Sequence, residues 1–129
     1  MCTEYDPATV VARLNSMVGQ KHEPPDGCLK FLKRALAEFG IEIEGTSEAT
    51  KRDARKFKPV DKPSLGTVVI FKNVENLDEQ APFHVALMLD TRWAIQSSRA
   101  TYGVGRIEIT RYPWVSKRKG FYRPKMLGD

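Results

Sequence analysis

Hydrophobic positions follow a helical period in the first third of the chain and alternate with polar ones in the last half. Val10, Val11, Leu14, Met17 and Val18 recur at the spacing of one helix face. Asp6 and Pro7 open that helix as N-cap and first helical residue, and Gly19 closes it. The loop over residues 20–27 carries Pro24 and Pro25, which exclude regular structure. A second helix is predicted from Cys28 to Phe39, with Leu29, Leu32, Leu36 and Phe39 toward the core and Gly40 as a left-handed stop. Ile41-Glu42-Ile43 alternates briefly. Residues 44–64 are polar, basic and broken by prolines, and they read as loop with a short helical turn.

From Leu65 the period changes. Strands are predicted at Thr67–Phe71, Phe83–Asp90, Trp93–Ser97 and Arg106–Thr110, with Phe121–Arg123 as a last one before the tail. A tight connection falls near Asp90-Thr91-Arg92, and residues 72–82 are a polar, acidic loop. Helices first and antiparallel strands afterwards predict an α+β domain. A length of 129 residues suits a single domain, residues 1–129, with a core that needs no disulfide staples. The chain contains no internal repeat and no low-complexity segment.

Composition narrows the setting. Hydrophobic content of 41% and charged content of 29% are those of an ordinary globular protein. No apolar run approaches the ~20 residues that span a bilayer, and the N-terminus lacks a signal-peptide core, so no membrane partner is expected. Synthesis in the cytoplasm is the expectation. Cys2 and Cys28 are then expected as reduced thiols. Cys2 sits at a terminus and is given no role. The net charge of +5 gathers at Lys51–Lys58 and Lys117-Arg118-Lys119. Such clusters suit either an anionic partner or a solvated loop. They carry no aromatic stacking pattern and no nucleic-acid motif, so nucleic acid is not the expected partner. No CxxC or HxxxH spacing points to a metal site, and no cofactor is implied.

The candidate chemistry begins at Pro24-Pro25-Asp26-Gly27-Cys28-Leu29, where a Pro/Gly loop delivers a cysteine to the start of a helix. First-turn N–H groups lack intrahelical acceptors and the helix dipole adds positive charge, and both favour thiolate over thiol. The same position suits a small buried apolar residue, since cysteine is among the most buried residue types. His84 lies on the strand Phe83–Asp90, and Gln96 follows twelve residues later. If the connection between their strands takes an odd number of residues, such as three, both side chains leave the same face of the hairpin; a two-residue connection sets them on opposite faces. In the first case Gln96 can hydrogen-bond one imidazole nitrogen and leave the other for a thiol, the logic of nucleophile, base and orienting residue. An unpaired strand histidine is more often structural than catalytic. Trp93, Tyr102, Tyr112 and Trp114 read as core or groove lining, with Trp93 near the hairpin turn the most exposed.

Taken together, Gly19-Gln20-Lys21-His22, Asp26-Gly27-Cys28, Leu65–Phe71, His84–Leu89 and Ile95-Gln96-Ser97-Ser98 resemble the NlpC/P60 cysteine peptidases, over roughly Val10 to Pro124. The resemblance implies a papain-like α+β fold and hydrolysis of bacterial peptidoglycan peptide stems. It implies Cys28 as nucleophile, His84 as general base and Gln96 as the third polar residue, with His22 and Asp26 at the oxyanion and substrate-binding positions. Leu29-Lys30 stands where the family usually has small residues, and His22 where it has tyrosine. The ending Gly103-Val104-Gly105-Arg106-Ile107, Trp114 and Gly120–Pro124 is similar to small phage-encoded members from tail modules, which implies phage tail proteins as further partners. The competing expectation is a tail or wall-binding module of the same fold with weakened or lost chemistry.

Overall fold

The computed structural model describes residues 7–21, 27–38, 40, 57–72, 83–98, 101, 103–111 and 114–124. Two helices lead, α1 (Pro7–Ser16) and α2 (Gly27–Ala37). Strands β1 (Phe57–Val60), β2 (Val68–Lys72), β3 (Phe83–Met88), β4 (Trp93–Ser98) and β5 (Gly103–Glu108) follow. A single-turn helix α3 (Trp114–Lys117) then runs directly into β6 (Arg118–Pro124). The six strands form one antiparallel sheet in the order β1-β6-β2-β3-β4-β5. Helix α2 packs on β3 and β4 near one end of that order.

Both faces of the central strands are covered, which explains why they read as near-continuous apolar runs. Val68 and Ile70 of β2 and Val85 and Leu87 of β3 join Leu14, Phe31, Leu32 and Leu36 of the helices in one cluster. The alternate residues Val69, Phe71, Ala86 and Met88 join Trp114 and Ile109 on the other face. Each such side chain taken wholly from water contributes roughly 1.5–3 kcal/mol. The two-sided core therefore anchors β2, β3 and β4 most firmly, and these strands carry the candidate histidine and glutamine.

The elements differ from the sequence expectation at five places. A strand, β1, lies inside the stretch read as loop, paired with β6 from Phe57↔Pro124 to Val60↔Phe121. Its Pro59 hid it. A residue without an N–H is tolerated there because β1 is the outermost strand, with a ladder on one side only. Strand β5 runs Gly103–Glu108, starting three positions before the expected Arg106 and ending two before the expected Thr110. Helix α3 was not expected, and β6 extends to both sides of Phe121–Arg123. Val18 is exposed, since α1 ends at Ser16 and the helical face no longer exists there. Gly19 and Gly40 take φ of 96° and 74°, the left-handed conformation expected of helix stops. Asp6, Phe39, Ile41–Ile43, the side chain of Leu29, the basic run up to Lys56 and the acidic loop 73–82 lie outside the described residues.

Candidate active site

The β3–β4 hairpin builds the polar half of the site. Leu87 pairs with Ile95 and Met88 with Ala94, and the Leu89 N–H donates to the Trp93 carbonyl at 2.8 Å. The connection is therefore Asp90-Thr91-Arg92, an odd number of residues. Asp90 sets it: its Oδ1 accepts from the N–H groups of Arg92 at 2.8 Å and Trp93 at 2.7 Å, a local turn typical of aspartate. With that parity His84 and Gln96 share a face, and His84 Nε2 meets Gln96 Oε1 at 2.8 Å. The backbone ladder stops at Leu87 and Ile95, so at the His84 end the strands are joined through these side chains. Because a carboxamide oxygen only accepts, the ring donates from Nε2, which leaves Nδ1 as its basic nitrogen. Gln96 Nε2 in turn donates to Thr101 Oγ1 at 2.8 Å.

The pair is dry. His84 is 2% exposed and Gln96 0%. An aromatic enclosure holds the ring: Phe71, directly opposite His84 on β2, and Trp114 of α3 lie with centroids 6.0 and 5.7 Å from the imidazole. Phe71 and Trp114 are themselves 5.1 Å apart at an interplanar angle of 59°. Such tilted contacts each add about 0.5–1.5 kcal/mol beyond their buried area. They also restrict the ring to few orientations.

Cys28 arrives from the other layer. It is the second residue of α2, whose glycine start and apolar positions Phe31, Leu32, Ala35 and Leu36 seat the helix on β3 and β4. Cys28 is not in a disulfide and is 1% exposed, in one cluster with Val85, Leu87 and Ile95. The structure thus brings His84 and Gln96 into direct contact beside Phe71 and Trp114, and places Cys28 in the first turn of α2 among Val85, Leu87 and Ile95, which point to the opposite face of the same strands. His22 and Asp26 lie outside the described residues. Phe71 and Thr101 carry no signal in the sequence that ties them to the histidine, and Trp114 reads there only as core or groove lining. Among the described residues no helix is long and apolar enough to cross a membrane, and no three metal-ligating side chains cluster.

Beyond Trp114 opens a separate groove of about 460 Å³, lined by Arg92, Trp93, Arg106, Glu108, Arg111 and Trp114 among others, and by none of Cys28, His84 or Gln96. Glu108, nearly buried, binds the guanidinium groups of both Arg92 and Arg111. The hydrogen bond from Arg92, with the charge of Arg111 beside it, holds the Glu108 carboxyl below its usual range against the opposing effect of burial. Arg106 lies over the exposed Trp93 ring, 5.9 Å from its centroid.

Helices on one antiparallel sheet, with a cysteine in the first turn of α2 and a histidine–glutamine pair on β3 and β4, define an α+β protein. The NlpC/P60 family profile matches residues 17–123, and the chain belongs to that family. Its members act on peptidoglycan peptides and are generally cysteine peptidases or amidases. The fold is similar to that of an NLP/P60-family protein from Staphylococcus aureus subsp. aureus Mu50, described as similar to lipoprotein. The TM-score is 0.66 at 14% identity, over 94% of this chain and 43% of that one. At that identity the likeness shows the fold, and the chain spans less than half of the staphylococcal protein's length. A search of curated proteins finds no significant match.

Proposed function

We propose that this chain is a cysteine peptidase or amidase that hydrolyses peptide stems of bacterial peptidoglycan, with Cys28 as nucleophile, His84 as general base and Gln96 as orienting residue. The observation that supports the reading is the buried 2.8 Å bond between His84 Nε2 and Gln96 Oε1, on the two strands against which the helix bearing Cys28 packs. In this mechanism Nδ1 of His84 takes the thiol proton, and the sulfur attacks the amide carbonyl. The Cys28 backbone N–H, in the first helical turn, stabilises the oxyanion together with the His22 side chain. The imidazolium returns its proton to the leaving amine, and the base then activates the water that releases the acyl-enzyme. A place in phage tails, with delivery to the wall by that route, belongs to the same proposal. Its support is the resemblance of the stretch from Gly103 to Pro124.

One observation favours the second reading, a wall-binding module: Cys28 is 1% exposed, a burial more usual for a core cysteine than for a nucleophile. Purified peptidoglycan incubated with the protein and with Cys28→Ala, followed by mass spectrometry of released fragments, separates the two. Release of new amines that the substitution abolishes is the expected result and identifies the bond. Pull-down by peptidoglycan with no release from several wall chemotypes would replace the enzyme with the binding module.

A further inference from the structure

We infer that Thr101 is a positioning residue that fixes the tautomer of His84 through Gln96, and that Gly105 exists to make room for it. The inference rests on the reading of His84 as the base. A carboxamide can be turned by half a rotation at little steric cost, which exchanges its acceptor oxygen for its donor nitrogen. The histidine alone cannot decide between the two, because either of its nitrogens can donate or accept. The decision comes from the far end of the chain of hydrogen bonds.

Thr101 Oγ1 lies 2.6 Å from the Gly103 carbonyl, which can only accept, so the single hydroxyl proton goes there. The Ser98 carbonyl, at 3.4 Å, is the poorer alternative. The oxygen is then left with acceptor capacity only, and it faces Gln96 at 2.8 Å and the Ser98 hydroxyl at 3.2 Å. Gln96 must turn its NH2 toward Thr101 and its oxygen toward His84. The ring must carry its proton on Nε2, and Nδ1 keeps the lone pair that a thiol proton needs. A backbone carbonyl of β5 thereby dictates which imidazole nitrogen is basic.

Gly105 is the cross-strand partner of Gln96. A Cβ there would stand 2.7 Å from Thr101 Cβ and 2.9 Å from its Cγ2, closer than such atoms approach in proteins. Glycine inside a strand weakens it, and close approach of another group is the usual reason for one. Here the group that approaches is the threonine holding Gln96.

The test reads the tautomer directly. The full chain carries two histidines, so ¹⁵N-histidine NMR resolves His84 once His22→Gln has assigned the other. Spectra are taken well above the ordinary imidazole titration range, where the ring is neutral. The wild type is expected to hold the proton on Nε2. Thr101→Ser keeps the hydroxyl and is expected to keep that tautomer, with kcat within about threefold. Thr101→Val keeps the shape and removes the acceptor, and is expected to raise the Nδ1–H population and lower kcat about ten- to a hundredfold at little change in KM. Gly105→Ala, which displaces Thr101 without altering it, is expected to shift the tautomer in the same direction. A wild-type ring protonated on Nδ1 overturns the inference without any variant. So does a folded Thr101→Val protein whose tautomer matches wild type. A wild-type Nε2–H ring in a protein that hydrolyses no wall peptide supports the Thr101 assignment while removing the hydrolase reading.

Discussion

Replacing Gln96 by leucine tests the centre of the site. The side chain is 0% exposed, and its oxygen accepts from His84 Nε2 at 2.8 Å. Leucine has nearly the same volume, so no cavity opens and no water enters. The imidazole N–H is left without that acceptor in a dry site, a loss of about 1–3 kcal/mol. Thr101 keeps its 2.6 Å bond to the Gly103 carbonyl, so little is added at that end. Extra apolar burial by leucine offsets roughly 1 kcal/mol, for a net destabilisation of about 1–2 kcal/mol. In a domain of this size that lowers Tm by roughly 3–8 °C. The effect on catalysis is larger. In serine protease triads, forcing the histidine into the wrong tautomer costs about 10⁴-fold. Leucine removes the preference without imposing the opposite one, so kcat on a peptidoglycan stem peptide is expected to fall roughly 10²-fold. The assay pairs steady-state peptide release with thermal melting of the same preparations. A folded Gln96→Leu protein with kcat within about threefold of wild type would refute the reasoning.

Three further outcomes follow from the same structure. Glu108 has its folded pKa depressed, first by the Arg92 hydrogen bond, so its contribution to stability is present above the unfolded carboxylate pKa and is lost as pH falls through the folded value. Glu108→Gln is therefore expected to flatten the acid limb of a Tm-versus-pH curve, and an unchanged limb would contradict the pairing. Trp114→Ala removes a ring in contact with both Phe71 and His84 and is expected to cost roughly 3 kcal/mol by denaturant unfolding, most of it recovered by Trp114→Phe. Asp90→Ala takes the acceptor from two N–H groups of the hairpin turn and is expected to cost about 0.5–1.5 kcal/mol in the same measurement.

The family resemblance runs along the whole chain because its marks are local ones. A cysteine after a Pro/Gly loop, a β-branched strand and a histidine at the head of a buried run are all readable in order. The change of period near Leu65 likewise separates helices from sheet without reference to any contact. Periodicity failed where one position served two ends. Pro59 forbids a central strand but not an edge strand, and only the sheet order places β1 at the edge. The expected strand began only at Arg106, yet Gly103 and Gly105 lie in β5, where Gly105 leaves the space that Thr101 occupies.

Local patterning suffices for the α+β class, for a helix opening near Cys28 and for the pairing of His84 with Gln96 as a conditional, since alternation along a strand needs only the spacing of residues. Tertiary structure alone decided the condition. The three-residue turn held by Asp90 sets the parity, and with it the face that both side chains share. The enclosure of the imidazole by Phe71 and Trp114, and the line of hydrogen bonds ending on the Gly103 carbonyl, join residues from β2, β3, β4, β5 and α3. Contacts between elements far apart in the chain depend on register and on which layer covers which face, and no local period encodes either.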